Sequence, residues 1–82
     1  MDTITLARRV VAECQCHLYR YRDGEMQARE YGAGKKNGWT ALDLFSASAI
    51  VQVYDALNET NRAKYGALDP YKAATVAFKL TR

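Results

Sequence analysis

The chain contains a single histidine, a single proline and two cysteines among its 82 residues, and no apolar run nears the roughly 20 residues needed to cross a bilayer. Each shortage closes off a class of function. With His17 alone, acid–base chemistry near neutral pH would rest on that ring or on a carboxylate of raised pKa. No nucleophile and base stand in a recognisable pairing, so the sequence reads as non-enzymatic. Cys14 and Cys16 are separated by one residue, too close for an easy disulfide within a regular helix or strand. With His17 they remain short of the four ligands a zinc site takes. In a helix, residues 14 and 16 point to different sides, and in a strand His17 points away from both. The expectation is reduced thiols, no metal and no cofactor, with Cys14 a small core residue and His17 on the surface. A metal shared across a dimer is the alternative. The start MDTITLARRVV lacks an apolar run of signal-peptide length, which gives a cytoplasmic expectation.

Charge of one sign is also scarce. Twelve basic and nine acidic residues leave a formal +3, without the clustered basic stripe of a dedicated DNA-binding module. Nucleic acid is allowed, not implied.

What is present suits a globular chain, since nearly half the residues are apolar and both signs of charge are interleaved. Residues 1–82 read as a single domain. A chain this short buries only about 60–65% of its unfolded surface. Folding against a partner or as a homodimer is therefore a reasonable expectation, because a shared face adds buried apolar area.

Along the chain, residues 3–16 fit helical spacing through Ile4, Ala7, Val10, Val11 and Cys14, and fit alternation nearly as well. A helix is favoured, capped by Asp2 or Thr3, with Arg9 and Glu13 as an ion pair one turn apart. His17 to Tyr31 then reads as a hairpin about Asp23-Gly24, which supplies the positive φ angles of a tight turn. A two-residue loop sets Tyr21 against Met26 and Tyr19 against Ala28 on a buried face. Arg22 against Glu25 and Arg20 against Gln27 occupy the wet face. GAGKKNG, residues 32–38, reads as a flexible connection.

Past it, Thr40 and Asp43 have the form of a capping box and start a helix there, with a strand before a break near Ser46 as the alternative. Leu42, Phe45, Ala49, Val53 and Leu57, widened by Ile50 and Tyr54, form its core stripe. Asn58 ends it in the left-handed conformation, and Thr60 caps a short successor that stops near Gly66. Asp69-Pro70 starts the last helix, with Tyr71, Ala74 and Phe78 on its buried side. The expected fold class is α+β: a small single domain with an N-terminal helix, a β-hairpin, then a three-helix C-terminal unit.

Two segments invite a functional reading. The loop with Lys35 and Lys36 could cradle an anion before a helix start at Thr40, although it lacks the spacing of a nucleotide-binding phosphate loop and a plain linker explains it. Arg20, Arg22 and Arg29 interleave with Tyr19, Tyr21 and Tyr31, and guanidinium and aromatic groups serve both protein hot spots and single-stranded nucleic acid. The competing structural reading packs the tyrosines on helices and pairs the arginines with Glu25 and Glu30. Tyr19, Arg20, Tyr21, Arg22, Arg29, Lys35 and Lys36 are the candidate partner-binding residues, with the Arg62, Lys64 and Lys72 edge next.

The segment DLFSASAIVQVYDALNETNRAK, with the tail KAATVAFKL, resembles small uncharacterised proteins encoded by bacteriophages and other mobile elements. That resemblance covers the second half of the chain and carries no diagnostic motif. It implies an accessory protein that inhibits a host protein complex, such as a CRISPR-type defence effector, by stoichiometric binding in the host cytoplasm. The alternative is a small nucleic-acid-binding module using the Arg/Tyr hairpin and the lysine loop.

Overall fold

In the computed structural model, which describes residues 1–32 and 37–80, the chain runs α1 (Thr3–Glu13), β1 (His17–Arg22), β2 (Glu25–Glu30), β3 (Thr40–Leu42), α2 (Leu44–Ala56), α3 (Glu59–Gly66) and α4 (Pro70–Leu80). It is an α+β fold with the helix, hairpin and three-helix order expected, plus one short strand. Lys35 and Lys36 lie outside the described residues.

Local chemistry sets most boundaries. Asp2 caps α1 by accepting the Thr5 amide at 2.7 Å, and α1 ends where Cys14 turns left-handed at φ 51°, ψ 41°. Asp23 at φ 54° and Gly24 at φ 80° form the hairpin turn, where glycine adopts positive φ without the Cβ clash other residues meet. The register sets Tyr21 opposite Met26, Tyr19 opposite Ala28, Arg20 opposite Gln27 and Arg22 opposite Glu25, as the two-residue loop requires. Asp69 accepts the Lys72 amide at 2.8 Å, so Pro70 opens α4 at the position where its missing amide costs nothing.

Five expectations are corrected. Thr40 begins β3 instead of a helix, pairing antiparallel with β1 so that the sheet order is β2-β1-β3; Asp43 caps α2 by accepting the Ser46 amide at 2.7 Å. The strand alternative was therefore the better description of residues 40–42. Asn58 is extended and caps α3 through the Asn61 amide, in place of Thr60. Phe45 and Tyr71, expected in the core, are 75% and 73% exposed. The helices meet through small residues instead: Ala7, Ala47, Ala73 and Ala77 are fully buried, and a methyl side chain lets helix axes approach closely enough to push a phenyl ring to the rim. Cys14 is exposed and His17 is buried, the reverse of expectation, because the left-handed turn at Cys14 turns the chain so that β1 begins with its histidine inward. Glu13 faces His17 at 3.4 Å, where a pair with Arg9 was expected.

The helix-facing side of the sheet contributes Tyr19, Met26 and Leu42 to one core shared with Leu6, Val10, Ile50, Val53 and Tyr65. Strand alternation sends Leu18, Arg20, Arg22, Gln27, Arg29 and Ala41 to the other side. That outer face carries the most distinctive side chains of the molecule.

Candidate functional site

Trp39 stands one residue before β3 and continues the alignment that pairs Tyr19 with Thr40, which brings its indole across to Arg20. The guanidinium carbons of Arg20 and Arg29 each lie 4.3 Å from the indole centroid. Such contacts are worth about 0.5–1 kcal/mol when exposed and about 2 when desolvated. Arg20 also donates from Nε to the side-chain oxygen of Gln27 at 2.7 Å, so its plane is fixed from two directions. Arg29 differs: its Nε and Nη2 are shielded from solvent without a hydrogen-bond partner.

Beneath this cluster, Leu18 is 1% exposed yet stands outside the main core. Its cross-strand neighbours are Arg29 and Ala41. On that face the large side chains placed to cover it are those of Arg29, Arg20 and Trp39. Three strands, too few to bury both faces against helices, are thus closed on the outside by stacked cation and indole, with the arginine stems serving as apolar cover.

The alternation that builds this face divides the sequence-derived site. Arg20, Arg22 and Arg29 share the outer face, with Arg22 exposed opposite Glu25. Tyr19 is in the core, and Tyr21 lies on the helix side with its ring 6.4 Å from that of Tyr19 at 81°. Burial pushes both phenols above their usual pKa, with the negative charge of Asp69 adding to it. Tyr31 is exposed past the end of β2. The tyrosines and arginines therefore do not form one interleaved surface. Trp39, which the sequence reading passed over, takes the aromatic role; strand alternation back from Ala41 was the signal that places it.

Other groups are occupied by the fold. Arg62 donates to the carbonyls of Tyr54 at 2.9 Å and Asp55 at 2.8 Å, capping α2, so it is no free edge cation. Arg8 donates to the Asp55 carboxylate at 2.6 Å. These two arginines flank the ring of Tyr54 at 5.9 and 5.4 Å and line a depression of 490 Å³, but both already have their acceptors. His17, 3% exposed, faces the Gln15 carbonyl through Nδ1 at 3.1 Å and Glu13 through Nε2. Among the described residues no cluster of His, Cys, Asp or Glu could hold a metal, and no helix is long and apolar enough to cross a membrane. The anion-cradle reading of residues 32–38 loses its helix start, since Thr40 opens a strand.

No protein-family model, no curated protein and no solved structure matches the chain.

Proposed function

We propose that this chain is a non-enzymatic binding protein that docks the outer face of its sheet onto an acidic surface of a host protein complex, in the manner of phage-encoded inhibitors of defence effectors. The observation that carries the reading is the packing of Arg20 and Arg29 on Trp39. Trp and Arg are the residue types that dominate protein hot spots, and here they are held rigid by a sheet and by each other, which lowers the entropy cost of binding. The face carries more positive than negative charge, which selects an acidic partner and speeds encounter. The indole is already engaged by two guanidinium groups, which favours a protein partner over base stacking by single-stranded nucleic acid. The host cytoplasm is the compartment that goes with this reading.

Capture from host lysate, with and without nuclease, tests it. A protein partner is expected to be retained by the wild type after nuclease treatment and lost by the Arg20→Ala, Arg29→Ala, Trp39→Ala triple variant, with far-ultraviolet circular dichroism showing the fold intact. Retention by that variant would remove the face from the mechanism, and loss of all capture on nuclease treatment would transfer it to nucleic acid. Trp39 is the sole tryptophan, so its emission should shift when purified partner is added.

A further inference from the structure

Helix α2, reading LFSASAIVQVYDA, contains one charged residue, Asp55, and that one is held by Arg8. A helix apolar around most of its circumference is normally covered on most of it. Only the stripe with Ala47, Ile50 and Val53 is deeply buried. At helical spacing on the outward side stand Phe45, Ala49, Gln52 and Ala56, and α4 adds Phe78 and Leu80 beside them. Phe45 stacks on Phe78 with ring centroids 5.5 Å apart at 19° and still keeps three-quarters of its surface open; Leu80 is 62% exposed.

This face pairs a projection with a recess. Phe45 projects at one end. At the other, Gln52, Val53, Ala56, Leu57 and Leu80 line an open groove of 230 Å³. An enclosed apolar cavity of about 150 Å³ accommodates benzene, so the groove has room for a phenyl ring. Along the helix Phe45 and Val53, a wall of the groove, are about 12 Å apart at roughly 1.5 Å per residue, and Gln52 borders both the groove and the smaller hollow beside Phe45.

We infer that this face binds a second copy of the chain, with α2 antiparallel to its counterpart about a two-fold axis near Ala49, midway between Phe45 and Val53, each Phe45 entering the groove of the other copy. A two-fold interface requires one patch to be self-complementary, residue i meeting j while j meets i, and a projection and a matching recess on one stripe satisfy that. Charge supports the same occupant. Two copies of a +3 chain repel over most of their surfaces, whereas among the described residues none that lines either hollow on this face is charged. The area suits a reversible pair. A large aromatic side chain carries ~150–250 Å², so with Leu80, Phe78 and the open parts of α2 each copy offers on the order of 400–500 Å². The total is then about 800–1,000 Å², the low end for a specific interface. The outer face of the sheet is left free, so the inference stands apart from the proposed function.

Sedimentation velocity on the full chain from about 10 µM to about 1 mM, the range in which small interfaces associate, provides the test. The wild type should pass from monomer to dimer and no further. Phe45→Asp and Leu80→Asp, both at exposed positions, should remain monomeric throughout with unchanged circular dichroism, while Arg22→Ala on the sheet should dimerise as the wild type does. A wild type that stays monomeric at every concentration would overturn the inference, as would open-ended oligomers or a dimer that survives Phe45→Asp. Capture of a different protein that depends on Phe45, with no self-association, would assign the face to that protein and overturn it equally.

Discussion

Tyr65 donates its hydroxyl hydrogen to the carbonyl oxygen of Ala73 across 2.6 Å, joining α3 to α4 inside the core. The side chain is 5% exposed, and burial pushes its phenol up to about 12. An α-helix as short as α3 is marginal by itself, so this bond and the ring around it hold α3 against α4, as Arg62 holds it against α2.

Tyr65→Phe keeps the ring and deletes the bond, and should cost about 1 kcal/mol at pH 7, the usual net worth of a buried neutral hydrogen bond. The pH dependence follows from the raised phenol. Below about pH 10, the ordinary tyrosine value, Tyr65 is neutral in both states and its contribution is complete. Between there and 12 the unfolded chain loses the proton and the folded chain keeps it, so stability falls as pH rises. Phenylalanine has no proton to lose. Urea denaturation at pH 7 and pH 11 should show the gap between wild type and variant narrowing at the higher pH; Tyr19, also raised by burial, is common to both proteins and cancels. A gap independent of pH would mean that the phenol ionises alike in the two states.

Asp2 gives the opposite dependence. Its carboxylate accepts the Thr5 amide, and chiefly through that bond its pKa lies below the ordinary 3.8. Its contribution is present above that value and is lost as pH falls through the lower folded one. Asp2→Asn, which retains an acceptor oxygen, should be within about 0.5 kcal/mol of wild type at pH 7, and Asp2→Ala should cost about 1 kcal/mol. In thermal melts from pH 7 to pH 2, wild type should lose ground relative to Asp2→Asn only in the acid part of the range. Parallel curves would assign the cap to the backbone alone.

The elements legible in the sequence are those whose signals act over a few residues. Asp23-Gly24 fixes the hairpin and its register, because two positive φ angles in a two-residue loop leave little choice of pairing. Asp69-Pro70 fixes the start of α4 in the same way. Thr40–Leu42 stood only as the alternative to a helix because three residues carry too little pattern to decide for a strand; pairing with β1, remote in sequence, makes it one. Phe45 was misplaced because periodicity cannot orient a helix that is apolar on most sides, and the choice fell to the alanines that let α1 and α4 close in. The candidate site was legible in part. Arg20 and Arg29 were named from their alternation in the hairpin, but Trp39 joins them only through the register of β3. His17 went inward for a related reason, since its direction depends on a left-handed turn at a cysteine that favours no such conformation.

The guanidinium of Arg29 offers a way to separate what this face does for the fold from what it does for binding. Two of its nitrogens are shielded and unpartnered, a cost of about 1–3 kcal/mol for a buried donor and more for a charged one, which the indole of Trp39 offsets by about 2 kcal/mol. The aliphatic stem, meanwhile, stands where it can cover Leu18. Arg29→Met retains a long apolar side chain over Leu18 and removes the unpaired donors, so its stability should equal or exceed that of the wild type by up to about 1–2 kcal/mol, as replacing buried charge with apolar volume often does. Arg29→Ala should lose about 1–2 kcal/mol, because it opens Leu18 to water without filling the space. Urea titrations of the three proteins, followed by far-ultraviolet circular dichroism, measure this directly. If Met is as destabilising as Ala, the cation on the indole outweighs the unpaired nitrogens and the cluster is structural. If Met is the more stable and also the one that loses the partner, the arginine is kept at the expense of the fold, as expected of a residue retained for binding.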